Sequence, residues 1–121
     1  MHPTLVSQPP TRPPDNELYD RGCDLVEAAA SIRRLAADPR AARAMPAVLG
    51  CVEAALLQLR GACPAMEGTT DRATRAPESD HRLRAVAGRM RRGFTNLERA
   101  LKDAEDAATA ARSLTARALG A

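Results

Sequence analysis

Apolar residues recur along this chain in steps of three and four, the signature of amphipathic helices rather than of strands. Leu18, Leu25 and Ile32 stand seven residues apart, with Val26, Ala28, Ala29 and Leu35 beside them. The pattern predicts a first helix over 15–37, with Asp15 as its N-cap. Asp38-Pro39 reads as a second N-cap followed by Pro at the first helical position. Met45, Leu49, Val52, Leu56, Leu59 and Cys63 then alternate spacings of four and three. Pro46 falls inside that pattern and predicts either a kink or a short separate piece over 39–45. Pro64 predicts the end of this second helix. Residues 64–77, with Gly68, Thr69, Thr70 and Pro77, are then expected as the one substantial internal loop.

The last segment, from about Glu78 to Leu119, carries the longest pattern. Leu83, Ala87, Met90, Phe94, Leu97, Leu101, Ala104, Ala108, Ala111, Thr115 and Ala118 form an unbroken heptad seam of the coiled-coil type. Gly93 and the capping-box sequence Thr95-Asn96-Leu97-Glu98 would permit a break. The seam keeps its phase through Gly93, which favours one long helix, bent at most at that glycine. The expected fold is an all-α antiparallel three-helix bundle with a long C-terminal helix, or a four-helix bundle if the chain breaks near Gly93. At 1.5 Å per residue the first two helices would each span about 35 Å and the third about 60 Å. An overhang is therefore expected, and its Ala104, Ala108, Ala111, Thr115 and Ala118 form a candidate helix-pairing seam. Pairing with another chain, exposure as an Ala-rich arm, or folding back as a fourth helix would each resolve it, and self-association is preferred.

Composition agrees with helices. The 121 residues include no Trp, one Tyr (Tyr19) and one Phe (Phe94), and 26 Ala make up much of the 45% hydrophobic content. So few aromatic and β-branched residues argue against a sheet. The large-apolar core is expected near Leu25, Val52, Leu56, Met90, Phe94 and Leu97. Pro3, Pro9, Pro10, Pro13 and Pro14 make residues 1–14 an expected disordered arm, leaving 15–121 as a single helical domain. The arm's PxxP spacing also fits a ligand of a proline-reading domain, but a plain tail is the simpler reading.

Cys23, Cys51 and Cys63 lack CxxC spacing and read as free thiols in a reducing compartment. Met1-His2-Pro3-Thr4-Leu5-Val6 has neither the basic nor the apolar region of a signal peptide. The longest uncharged stretch in the helical part, Ala44 to Val52, is far short of the ~20 residues of a membrane span. A cytoplasmic protein with no membrane contact is the expectation.

The net charge of +3 is local. Residues 1–37 sum to −1, 38–68 to 0, 69–92 to +4 and 93–121 to 0. Arg82, Arg84, Arg89, Arg91 and Arg92 occur with no acid among them, a candidate basic patch for the phosphates of nucleic acid. The competing reading is the solvated side of an amphipathic helix, and with Phe94 in the seam no aromatic is available to stack on bases. Glu17, Asp20, Asp24 and Glu27 line one stripe of the first helix, where like charges repel by a few tenths of a kcal/mol per pair. Asp24 and Glu27 lie beyond the turn whose dipole would favour them. A basic surface opposite, such as the Arg run of another protomer, would offset the repulsion.

Chemistry is sparse. His2 and His81 are the two histidines, and there is no HExxH, no Glu-x-x-His pair and no Gly-rich phosphate loop. Cys63 lies on the apolar seam, where a thiol is usually structural. No cofactor or metal is expected, and catalysis is unexpected. His81-Arg82-Leu83-Arg84-Ala85-Val86-Ala87-Gly88 resembles the phosphoaccepting segment of histidine phosphotransfer domains, close to His-x-Leu-Lys-Gly-Ser-Ala. The resemblance covers eight residues and implies a helical bundle with His81 as phosphoacceptor and Arg84 in the place of the phosphate-steadying Lys. It departs at Arg84, at Ala85 where the family has Gly, and at Val86 where it has Ser. The chain has no Trp, so it lacks the Trp-x-Gly turn of small secreted helical hairpins. The functional expectation is a non-enzymatic helical protein that self-associates or docks a partner helix. The alternatives are phosphotransfer through His81 and nucleic-acid association through Arg82–Arg92.

Overall fold

The computed structural model describes residues 14–75 and 81–120, and the protein is all-α. Helix α1 spans Pro14–Leu35, a short 3-10 helix spans Pro39–Ala44, α2 spans Met45–Thr74 and α3 spans His81–Ala118. Among the described residues there is no strand. The expected Pro-rich arm lies outside them as far as residue 13. Pro14 opens α1, which suits a residue with no backbone N–H to give. The chain divides into two compact units, one ending at Ala42 and the other Arg43–Ala121.

In the first unit, α1 carries Asp15 and Glu17 in its first turn and Arg33 and Arg34 in its last, matching the helix dipole at both ends. It buries no residue. The chain turns at Asp38, whose Oδ1 accepts the backbone N–H of Arg40 at 2.9 Å while both carboxylate oxygens accept from the Arg40 guanidinium. These bonds, the side-chain ones foremost, hold the Asp38 carboxyl below its ordinary value. Asp38 thus begins the 3-10 turn, as its place before Pro39 predicts. Pro46 then occupies the first turn of α2, where its missing N–H costs nothing. The short separate piece is therefore the outcome at this point.

In the second unit, α2 and α3 pack against each other as a hairpin. Three ion pairs, Asp71–Arg91, Arg60–Glu105 and Glu53–Arg112, descend α2 as they ascend α3, which fixes the antiparallel register. Cys63, Ala87 and Ala108 are the buried hydrophobic residues. The Sγ of Cys63 donates to the Leu59 carbonyl at 3.5 Å. Val52, Leu56, Leu59, Met90, Phe94 and Leu101 are half-buried around them.

Two expectations are corrected. The second helix does not stop at Pro64: residues 64–74 of the predicted internal loop are helical, while 76–77 lie outside the described residues. Pro64 is exposed, so water can serve the carbonyl that its ring leaves without a donor. Beyond it, Met66 and Thr70 stay half-buried, the Thr70 hydroxyl donates to the Met66 carbonyl at 2.8 Å, and Asp71 is tied to Arg91 of α3 at 2.8 Å. Those contacts offset the local cost of the proline. As a result α2 has 30 residues, about 45 Å, rather than the expected 35 Å. The Ala-rich half of α3 is consequently no free overhang. Ala108 is buried and Ala104, Ala111 and Thr115 are half-buried, while Ala118 is exposed. Small side chains let α2 approach closely here, and a Cβ at Gly50 would lie 3.6 Å from Cδ of Arg112.

Helix α3 runs without interruption through Gly93. Gly93 is exposed, and a Cβ there would meet nothing within 4 Å. It therefore serves no close approach and only loosens the helix. Gly93→Ala is expected to stabilise the hairpin by about 0.5–1 kcal/mol. Thermal melting followed at 222 nm checks this, since such a gain raises the midpoint by roughly 4 °C.

The stretch Pro39–Thr74 is long and apolar enough to cross a membrane by length and composition, with mean hydropathy 1.3 in its most apolar window. The same stretch supplies Glu53, Arg60 and Asp71 to the ion pairs with α3.

Candidate functional site

One edge of the hairpin is a polar ladder. Arg60 donates from Nε to one Glu105 oxygen and from Nη2 to the other at 3.2 Å, a two-pronged pair that matches guanidinium to carboxylate geometry. Glu105 is 8% exposed, and it raises the Arg60 pKa above its ordinary value, chiefly through this hydrogen bond. One turn further, Thr109 donates its hydroxyl to Glu53, which also pairs with Arg112 at 3.0 Å. This ladder fixes register and leaves little carboxylate free for chemistry.

At the other end of the hairpin, where α2 finishes and α3 begins, guanidinium groups gather. A cleft of about 240 Å³ is lined by Thr74 of α2, by Arg75 that caps that helix, and by Arg84, Ala87 and Arg91 of α3. A second, more open hollow adjoins it along α3, lined by Gly88, Arg91, Arg92, Thr95, Asn96 and Arg99. Arg91 belongs to both. Neither is lined by a carboxylate.

Asp71 organises this end. Its Oδ1 accepts from Arg91 at 2.8 Å and its Oδ2 from Arg75 at 3.0 Å, so one acid holds two cations side by side. Among the described residues their like charges are only half compensated. Asn96 accepts from Arg99 at 3.3 Å and steadies the far end of the row. The residues are placed by helical periodicity. Arg84 and Arg91, like Arg92 and Arg99, stand one heptad apart, about 10.5 Å along the axis. The cleft is wide because Ala87 and Gly88 offer no bulk between them.

Of the predicted basic patch, Arg84, Arg91 and Arg92 are brought together, while Arg82 and Arg89 are exposed and line neither hollow. Arg75, Arg99, Thr74, Thr95 and Asn96 were not anticipated. Arg75 sits within the +4 window 69–92, but the expected loop hid its place at the end of α2. The seven-residue step from Arg92 would have found Arg99.

His81 is the first residue of α3 and exposed. Arg84, three residues on, turns into the Arg75–Arg91 cleft. In the acidic stripe Glu17, Asp24 and Glu27 are exposed and Asp20 is half-buried. Asp24 pairs with Arg21 of its own helix at 3.1 Å, which relieves part of the repulsion from within. In the Ala104–Ala118 seam burial decreases from Ala108, which is buried, to Ala118, which is exposed. Cys23 and Cys51 are free and accessible, and Cys63 is free and buried. Among the described residues no group of three or more His, Cys, Asp or Glu is placed to hold a metal ion. Compared with family models, with curated proteins and with solved structures, the chain matches none.

Proposed function

We propose that this protein is a non-enzymatic helical protein that acts by self-association, with α1 as the element that pairs. The observation that supports this reading is the exposure of its apolar face: Leu18 is 64% exposed, Leu25 46% and Ile32 43%. These three recur every seven residues, the spacing a helix uses to meet another helix. Burying a fully exposed side chain of this kind contributes about 1.5–3 kcal/mol; with roughly half of each still exposed, a paired α1 gains about 2–4 kcal/mol in all that it lacks alone. The proposal places the protein in the cytoplasm with no membrane partner, because the polar edge of its most apolar helix is engaged by α3.

Sedimentation velocity over a concentration series tests it. The expected result is a shift from monomer to dimer as concentration rises. Leu18→Ser, Leu25→Ser and Ile32→Ser together should raise the dissociation constant at least about 100-fold, with the α2–α3 hairpin still melting as in the parent. A monomer at every concentration would overturn the proposal.

A further inference from the structure

The Arg-lined surface at the end of the hairpin lies on α2 and α3, not on the α1 face proposed to pair, and its chemistry points to a ligand of its own. Arg75, Arg84, Arg91, Arg92 and Arg99 lie around two adjoining hollows that share Arg91. Holding five guanidinium groups along one surface is costly unless an anion answers them. Asp71 is, among the described residues, the one carboxylate in an ion pair with this set, and it serves two of the five. Residues 69–92 still sum to +4 with Glu78 and Asp80 included.

We propose that this surface binds the phosphodiester backbone of double-stranded nucleic acid, without sequence preference. Three observations select that ligand among anions. The hollows are open and continuous, spanning from Arg84 to Arg99, about 22 Å of helix axis. That suits an extended polyanion, not one small ion that must be desolvated in an enclosed pocket. The cations are all guanidinium, which grips phosphate oxygens with paired donors where an ammonium offers a point charge. No aromatic side chain lines either hollow, so nothing is present to stack unpaired bases, which single-strand binders use. Thr95 and Asn96 add neutral donors at the rim, of the kind that position a backbone without reading sequence.

The test is fluorescence anisotropy of the full chain with a labelled duplex of mixed sequence. If each of the five arginines displaces one counterion, affinity falls several hundredfold, about 500-fold, between roughly 50 and 200 mM salt. Replacing Arg84, Arg92 and Arg99 with Ala spares the Asp71 pairs that hold the hairpin. This triple variant should bind more weakly and lose only about 12-fold over the same salt range. Arg21→Ala, Arg33→Ala and Arg34→Ala remove the same charge from α1 and should leave the salt slope unchanged. Three results would overturn the proposal: no binding by the parent at low salt, an equal loss of slope in the α1 variant, or binding to phosphatidylserine vesicles with none to the duplex. Circular dichroism confirms that each variant is folded. Because α1 and the Arg surface are altered separately, a monomeric parent that binds duplex would sink the pairing proposal alone.

Discussion

Cys63→Asp is expected to abolish the α2–α3 hairpin, whereas Cys63→Ala weakens it only slightly. At 1% exposure, Cys63 is the one side chain fully enclosed among the described residues. Its thiol needs little from its surroundings, since the Leu59 carbonyl takes its weak donor. A carboxylate at this position would lose its water and find no cation in exchange, because Arg60, one turn earlier on α2, is held by Glu105. Such a buried, unpaired charge costs on the order of 3–5 kcal/mol. The hairpin has little to set against it, since its other buried hydrophobics are Ala87 and Ala108, which offer small apolar areas. Domain stabilities run only about 5–15 kcal/mol, and a core this thin belongs near the bottom of that range. The measurement is far-UV circular dichroism with a thermal melt. The variant should lose helix signal and cooperativity at neutral pH. Desolvation raises the pKa of a buried aspartate, so its penalty is present above that raised value and is relieved as pH falls through it. Partial recovery of the melt on mild acidification is the expected sign. A wild-type melt at neutral pH would show that position 63 is not the packing centre.

The helical class and the α3 seam were legible because both are periodic. Ala87, Met90, Phe94, Leu101, Ala104, Ala108 and Ala111 stand on the predicted stripe and are buried or half-buried. The Asp38-Pro39 turn was legible because its chemistry is local: one carboxylate, one N–H and one guanidinium two residues away. Pro64 misled because a proline's cost is local while its compensation is not. The Asp71 ion pair that ties this part of the helix down depends on Arg91 of α3, twenty residues later in the chain. That one error propagated into the expected overhang, since helix lengths decide what covers what. Leu25 and Leu97 were expected in the core and are instead 46% and 42% exposed. Periodicity identifies an apolar face but carries no information on whether something covers it. The basic cleft was half legible. Arg84, Arg91 and Arg92 were visible as a run, whereas Arg75 joins them only because α2 and α3 are antiparallel.

The Arg60–Glu105 pair is expected to behave asymmetrically when its partners are removed one at a time. Arg60→Met leaves the Glu105 carboxylate, 8% exposed, between two helices with no cation. Its desolvation is then uncompensated, and the melting midpoint should fall by at least about 10 °C. Glu105→Leu leaves an Arg60 whose side chain is 33% exposed. A guanidinium on a flexible stem can turn its head to water while its methylenes stay packed, so this variant should lose much less. Converting both residues together, Arg60→Met with Glu105→Leu, removes the buried charges and keeps the volume. Its midpoint should return to that of the parent or exceed it, because well-packed apolar residues commonly match or better a buried ion pair. The Glu53–Arg112 pair on the same ladder offers the contrast. Both side chains are partly exposed, 29% and 45%, and removing either partner should change stability by no more than about 1 kcal/mol. Thermal melts of the two single variants and the double variant form a mutant cycle whose coupling energy isolates the pair. Equal losses in the two singles, with an additive double, would mean that Glu105 reaches water in solution and that the ladder contributes register without stability. A large loss on Arg60→Met that the double variant restores would instead place the ladder's strength at this one buried carboxylate, midway along the hairpin.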